Sequence, residues 1–459
     1  MTVEFNADLL VKYDTYGPRY TSYPTAVEFS DSFGDAEYRR ELEQSNQLQT
    51  PLSLYFHIPF CKSLCFYCAC AKIITHKQER SIPYLERIHT EIARQAELVD
   101  PNREVSQLHF GGGTPTFLHD DQLSALLWEI SRNFTLAPPE SREFSIEIDP
   151  RAVRKTTIPL LYELGFNRIS LGVQDFDPKV QSAVNRIQSV EQTFAVIDAA
   201  RAAGYRSTNV DLIYGLPYQT VESFSTTLDT ILSKRPERLA IYNYAHMPDK
   251  VKAQKLINDD DLPSPETKLA ILEMTVERLQ GAGYVYLGMD HFALPDDELT
   301  LAKHNGQLQR NFQGYSTYAD TDLIGIGMTS IGKTNHSFSQ NMRQEDDYFA
   351  AIDSGSLAIA RGYQLSFDDR IRRDVIQSLM CQNEVVYETV SARYGIDFFD
   401  YFFREMRQLA GMAMDNLVII NAHRVAVTPT GQLLLRNIAM VFDAYLHPTE
   451  SRHQFSKVI

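Results

Sequence analysis

Four of the chain's five cysteines stand within ten residues: Cys61, Cys65, Cys68 and Cys70. The fifth, Cys381, is alone. A secreted disulfide framework spreads its cysteines to close loops, so tight clustering points to a reducing compartment and a metal site. Cys61-Lys62-Ser63-Leu64-Cys65-Phe66-Tyr67-Cys68 has the form CxxxCxxC. Three thiolates so spaced on one loop can each hold one iron of a cubane cluster, leaving the fourth iron open to a small molecule. A structural zinc site with Cys70 as fourth ligand is the competing reading, although structural zinc usually joins two separated cysteine pairs. Cys70 itself reads equally well as a thiol serving substrate or redox chemistry and as a packed side chain.

The elements that must position this loop begin at Leu52. Short β-rich runs, Leu52–Ile58, Val105–Phe110, Glu143–Ile148, Asn167–Val173, Thr208–Tyr214 and Arg238–Tyr244, alternate with helical patterns such as Tyr84–Leu98, Asp121–Asn133 and Val190–Ala203. Strand–helix alternation implies parallel βαβ units in an open sheet or a partial or full barrel, with chemistry at the C-terminal strand ends. Those ends are chemically distinctive: the cysteine loop, Gly111-Gly112-Gly113-Thr114-Pro115, Glu147-Ile148-Asp149-Pro150, Gln174-Asp175, Gly215-Leu216-Pro217 and Asn243-Tyr244-Ala245-His246. Before Leu52 the chain reads as an irregular, tyrosine-rich arm. After about Phe349 the rhythm stops, and Asp368–Gln382 and Tyr387–Leu409 read as helices. A hairpin of Leu417–Asn421 and Val425–Thr428 and a final helix over Gly431–Leu446 complete a winged-helix-like unit. The expected division is an arm over 1–48, a barrel over 49–350 and a mostly helical domain over 351–459.

Composition bounds the partners. The chain has 459 residues, is 44% hydrophobic and 22% charged, and carries a net charge of −15. Such acidity repels phosphate backbones and argues against a DNA-binding role for the wing. No apolar run is long enough to span a bilayer. Met1–Leu10 carries Glu4 and Asp8 and has no basic region followed by an apolar one. A cytoplasmic monomer, with neither nucleic acid nor membrane as partner, is the expectation. An anionic substrate would need a local basic pocket.

CxxxCxxC followed by a glycine-rich strand end resembles the radical S-adenosylmethionine (SAM) superfamily. Within it, Tyr55-Phe56-His57-Ile58-Pro59-Phe60-Cys61, His109 to Thr116, Ser170 to Phe176 and Asp211 to Pro217 are similar to the oxygen-independent coproporphyrinogen III dehydrogenases (oxidases). So are the arm Pro18 to Ala26 and the segment Arg436-Asn437-Ile438. The resemblance covers essentially the whole chain. It implies an α/β fold, a partial (β/α)6 barrel with an N-terminal arm and a helical C-terminal domain. It also implies a haem-pathway reaction: two propionates of coproporphyrinogen III are oxidatively decarboxylated to vinyls, giving protoporphyrinogen IX, with a [4Fe-4S] cluster, SAM (two molecules expected) and an external reductant.

By the same resemblance Cys61, Cys65 and Cys68 hold the cluster, and Tyr67, Gly112, Gly113 and Thr114 sit beside SAM. Glu147, Gln174 and Asp211 bind its polar groups, Arg186 pairs with its carboxylate, and Tyr55, Ala245 and Ile331 complete the pocket. Cys70 and His57 are the catalytic candidates, with a structural histidine as the alternative for His57. Arg19, Tyr20 and Tyr23 are candidates to close over substrate. Ala69 and Ala71 depart from the Gly and Asn expected around Cys70. The competing functions are a haem chaperone of the same family and a zinc-stabilised binding module. The stretch Arg310-Asn311-Phe312-Gln313-Gly314-Tyr315 lacks the histidine expected of the chaperone.

Overall fold

The structure, a computed structural model, describes residues 3–318, 321–446 and 455–457. Seven parallel strands form its centre: β1 (Leu52–Ile58), β2 (Glu104–Gly112), β3 (Glu143–Ile148), β4 (Arg168–Gln174), β5 (Ser207–Tyr214), β6 (Arg238–Asn243) and β7 (Asp322–Ile326). The order runs β6-β5-β4-β3-β2-β1-β7. Antiparallel strands extend both edges, His291–Ala293 and Val285–Gly288 beyond β6, and Ile331–Thr334, Ser337–Asn341 and Ile359–Gln364 beyond β7. Among the described residues the two edges do not pair, so the barrel stays open. Six strands match the alternating runs of the sequence; β7 is an addition that they do not announce.

These strands alternate strictly, which is unusual for a parallel sheet buried on both faces. In β1, Leu52, Leu54, Phe56 and Ile58 are fully buried under the outer helices, while Ser53, Tyr55 and His57 take the opposite face. The same split gives Gln107 and His109 in β2, Glu143, Ser145 and Glu147 in β3, and Asn209 and Asp211 in β5. The inner face therefore lines a polar lumen. Outer helices such as Ser81–Leu98 press Tyr84, Ile88 and Ile92 onto the apolar face.

Four expectations need correction. The arm is not irregular: Ala7–Tyr13 and Asp35–Leu48 are helices, the second burying Tyr38 and Leu42 in the main core. The boundary at 350 falls short, because Ile359–Gln364 pairs into the main sheet. The helix expected over Tyr387–Leu409 is broken into Tyr387–Tyr394, Phe398–Tyr401 and Phe403–Met414, with left-handed Gly395 ending the first. The last helix is shorter than expected, Leu435–Met440. Residues 384–386, 424–427 and 418–420 form a three-stranded antiparallel wing against these helices.

A second core joins this region to the arm, with Leu10, Tyr20 and Tyr23 packed among Ile376, Leu379 and Ile438. Arg436 donates to the carbonyls of Pro18 (3.2 Å) and Gly17, and Asn437 to that of Tyr13 (2.7 Å). The arm is thus latched to the C-terminal segment. None of the helices is long and apolar enough to cross a membrane, among the described residues.

Candidate active site

Residues 61–72 form a loop closed at its base. Ile73 N–H donates to the Pro59 carbonyl at 2.7 Å and Thr75 N–H to that of Cys61 at 2.9 Å. A distant segment and the loop's own Lys72 hold the rest. Asn185 donates to the Leu64 carbonyl (2.8 Å), Phe66 N–H to that of Val184 (3.0 Å), and Lys72 Nζ to those of Cys68 (2.8 Å) and Cys70 (3.2 Å). These ties fix where the thiols point.

They point into a cavity of about 260 Å³ at the C-terminal ends of β1 to β5. Cys61, Cys65, Cys68 and Cys70 all line it. Arg151 Nη2 and Arg186 Nη1 lie 3.4 and 3.6 Å from the Cys65 sulfur, and Thr114 Oγ1 lies 3.6 Å from that of Cys61. The Thr114 hydroxyl offsets only part of the burial that pushes the Cys61 thiol up to about 11. The Cys70 thiol hydrogen-bonds Cys68, pulling Cys68 down to about 6 and raising Cys70 well above its usual range.

The opposite wall is polar. Glu147 accepts from Gly112 N–H (3.2 Å) and faces His109 Nε2 (3.3 Å); these bonds outweigh burial and hold its carboxyl below the usual value. Asp149 pairs with Arg151 (2.7 Å) and Arg186 (3.2 Å). Asp211 accepts from Ser170 (2.9 Å) and Asn209 (2.8 Å). Gln174 sits where β4 slips register against β5, at a φ of 71° that non-glycine residues seldom adopt. Its Oε1 and the Nε of Arg186 are buried without a hydrogen-bond partner. Buried polar atoms are normally paired, and both of these residues line the cavity. Three thiols and two residues with unpaired polar atoms, all lining one cavity, fit a thiolate-held iron–sulfur cluster with SAM beside it.

Of the expected residues, Tyr67, Gly112, Gly113, Thr114, Glu147, Gln174, Arg186 and Asp211 line this cavity with the four cysteines. Tyr67 also packs on the apolar cluster of Val180, Val184 and Tyr244. The two glycines make room for the protein itself. A Cβ on Gly112 would come within 2.7 Å of the His57 ring, and one on Gly113 within 2.7 Å of the Pro59 backbone. His57 does not line the cavity. Its Nε2 bonds the Ala71 carbonyl (3.0 Å) and its Nδ1 the Tyr55 hydroxyl (3.1 Å), so it buckles the cysteine loop to β1 as a positioning residue. Tyr55 is also outside, stacked on His109 at 5.8 Å. Ala245 contributes a carbonyl to the Gln254 amide, and Ile331 opens the strand after β7; neither reaches this cavity.

Lys72, Asp149, Arg151, Ser170 and Gly172 also line the cavity; none was an expected site residue, although Asp149 stands in one of the distinctive strand ends. Polar residues at every second position of the strands were the available signal. The sequence reading missed the lumen below, a cavity of about 150 Å³ that shares Glu147, Ser170 and Asp211 with the first. Its arginines are neutralised, Arg168 by Glu143 and Glu298 and Arg238 by Asp297.

Comparison with known proteins agrees with this geometry. The radical SAM superfamily model matches residues 55–231. The chain is 49% identical over 458 residues to an oxygen-independent coproporphyrinogen III oxidase of Pseudomonas aeruginosa, covering 100% of this chain and 99% of that one. With the Escherichia coli enzyme of the same name the identity is 46% over 457 residues, at 100% and 99% coverage. The solved structure of Escherichia coli coproporphyrinogen III oxidase, a radical SAM enzyme, superposes with a TM-score of 0.93 at 45% identity, covering 97% of this chain and 100% of that one. Full-length identity at this level, on a fold that brings the three cysteines to one cavity, means that the chain belongs to the oxygen-independent coproporphyrinogen III oxidase family of radical SAM enzymes, which work with a [4Fe-4S] cluster and SAM.

Proposed function

We propose that the strand-end cavity holds the cluster on Cys61, Cys65 and Cys68 with SAM against the opposite wall, and that the lumen receives the porphyrinogen. The reaction is the oxidative decarboxylation of two propionates of coproporphyrinogen III to vinyls. The observation that carries the site assignment is that Gln174 and Arg186, each with a buried polar atom left unpartnered, line one cavity with the three thiols. When bound, the cluster and SAM supply the one-electron chemistry that removes a hydrogen from the propionate β-carbon.

The chain's residues do the holding. Arg151 and Arg186 donate to the Cys65 sulfur and fix its position. Gln174 Oε1 accepts from an ammonium, and Arg186, its Nη1 on Asp149 and its Nη2 on the Gly172 carbonyl, offers Nε to a carboxylate. Glu147 and Asp211 accept ribose hydroxyls. His57, Gly112 and Gly113 keep the loop seated on the β1 and β2 ends. A separate reductant, a cytoplasmic setting and a monomer complete the proposal; the net charge of −15 supports the exclusion of nucleic acid. Haem transfer is disfavoured by Arg310-Asn311-Phe312, which offers no histidine ligand.

The test is anaerobic reconstitution with iron and sulfide, reduction, and addition of SAM and coproporphyrinogen III. 5′-Deoxyadenosine and protoporphyrinogen IX are expected together, and Cys65→Ser is expected to abolish both. An intact cluster that yields neither would overturn the proposal.

A further inference from the structure

A third cavity, about 230 Å³, lies across a hairpin from the lumen. Its walls include arm residues Thr21–Tyr23, the first strand Gln309–Asn311 of a hairpin whose second strand is Gly314–Ser316, and the helix Phe367–Gln382. The hairpin is pinned to the lumen by Gln107 Nε2, which donates to Ser316 Oγ at 2.7 Å. Its residues divide by face: Arg310 and Phe312 line the third cavity, Gln313 lines the lumen, and Asn311 borders both. The two spaces therefore adjoin across one residue.

Charge sets this cavity apart. In a chain of net charge −15, its described lining carries Arg310, Lys333, Arg373 and Arg393 against one carboxylate, Asp374. Arg310 is 7% exposed, and among the described residues it has no ion-pair partner. Its guanidinium lies over the Tyr315 ring at 4.9 Å, and its Nε and Nη1 are buried without hydrogen-bond partners. Arg373 spends Nη2 on Asp374 at 3.3 Å and leaves Nη1 buried and unpaired. Burying guanidinium N–H groups unpaired is costly, and an arriving carboxylate would satisfy them with charge-assisted bonds. The lumen arginines, by contrast, already face carboxylates.

Size makes the same point. A lumen of about 150 Å³ is below the roughly 300–1,000 Å³ of pockets that enclose drug-sized ligands, so a tetrapyrrole there must extend into neighbouring space.

We propose that this third cavity is a carboxylate subsite, in which Arg310 and Arg373 hold a propionate of the porphyrinogen that does not react. The inference rests on the lumen as substrate site. It gives the family's anionic substrate a local basic pocket in an acidic chain.

The test uses the reconstituted full-length protein, with coproporphyrin III as a fluorescent binding probe beside turnover of coproporphyrinogen III. Arg373→Gln and Arg310→Gln are each expected to weaken probe binding and raise KM about tenfold, with a smaller effect on kcat and with iron content and SAM binding retained. Arg373→Lys, which keeps the charge, is expected to recover part of the loss. The uncharged tetramethyl ester of the probe should bind wild type and variants alike. Unchanged KM and probe affinity in both glutamine variants overturn the subsite and leave the function standing. Wild-type protein that makes no porphyrin product overturns the function and this inference with it. Inorganic phosphate that binds through these arginines without displacing the probe assigns the cavity to a free anion and overturns the proposal.

Discussion

One nitrogen of Gln254, Nε2, donates to the carbonyl of Tyr67 at 3.1 Å and to that of Ala245 at 3.0 Å. Its Oε1 accepts from Met247 N–H at 2.5 Å, and the residue is 1% exposed. A buried amide thus joins the cysteine loop to the segment after β6. Gln254→Leu keeps the volume and leaves three backbone groups unpaired, each costing about 1–3 kcal/mol if water cannot reach it. The variant is expected to unfold at lower urea and to lose iron faster on anaerobic dilution, with Tyr67 released beside Cys68. Wild-type urea midpoint and iron retention would show that the bridge does not hold the loop.

Gly172 is the hole into which two site residues fit. A Cβ there would stand 3.0 Å from both Arg186 Nη2 and Gln174 Nε2. Both atoms end flexible side chains, so Gly172→Ala is expected to cost under about 1 kcal/mol of stability. Both side chains must move by tenths of an ångström, and misplacing a positioning group by about an ångström can cost about a hundredfold. Equilibrium dialysis should show SAM affinity falling about tenfold at nearly unchanged melting temperature. Equal SAM affinity in the variant would remove Arg186 and Gln174 from the SAM wall.

Asp211 makes a pH-dependent prediction. Burial, reinforced by the Glu147 carboxylate and opposed by Ser170 and Asn209, pushes its carboxyl up to about 6. A raised folded-state value means that the fold penalises the charged form, so the penalty is absent at low pH and grows as pH rises from about 4 to about 6. Asp211→Asn removes it while keeping an acceptor for Ser170. Above pH 7 the variant is expected to be more stable by about 1–2 kcal/mol, allowing for partial solvent access. The gain should vanish by about pH 4, and SAM binding should weaken at every pH. A gain independent of pH would mean that ionisation of Asp211 is not its source.

The barrel and the cysteine triad were legible because their signals are local. Six strands announce themselves as apolar runs between helical patterns, and CxxxCxxC lies on one loop. β7 was not legible, because Asp322-Leu-Ile-Gly-Ile follows a hairpin where the rhythm predicts a crossover helix. The polar lumen was written in Ser53-Tyr55-His57 and Glu143-Ser145-Glu147, but alternation alone reads equally as a strand with one wet face. Arg151 lies two residues past Asp149, already noticed at a strand end, and its reach to Cys65 needed coordinates. Gln254 bonds a residue 187 positions away, and no spacing rule reveals that.

The relation of Gly112 to His57 separates two costs that usually come together. Gly112 adopts a φ of +117°, and its absent Cβ is where the His57 ring lies, 2.7 Å from Cε1. Gly112→Ala therefore meets backbone strain of about 1–3 kcal/mol and a steric clash with a buried ring. His57→Ala removes the ring and its bonds to Ala71 and Tyr55, loosening the cysteine loop. Once the ring is gone, adding alanine at 112 should cost only the strain. The two substitutions together are expected to destabilise by at least about 1 kcal/mol less than the sum of the singles. Urea unfolding of all four proteins measures this difference. Strict additivity would mean that the glycine is required by its backbone conformation alone, and that His57 does not seat the glycine loop against the cysteines.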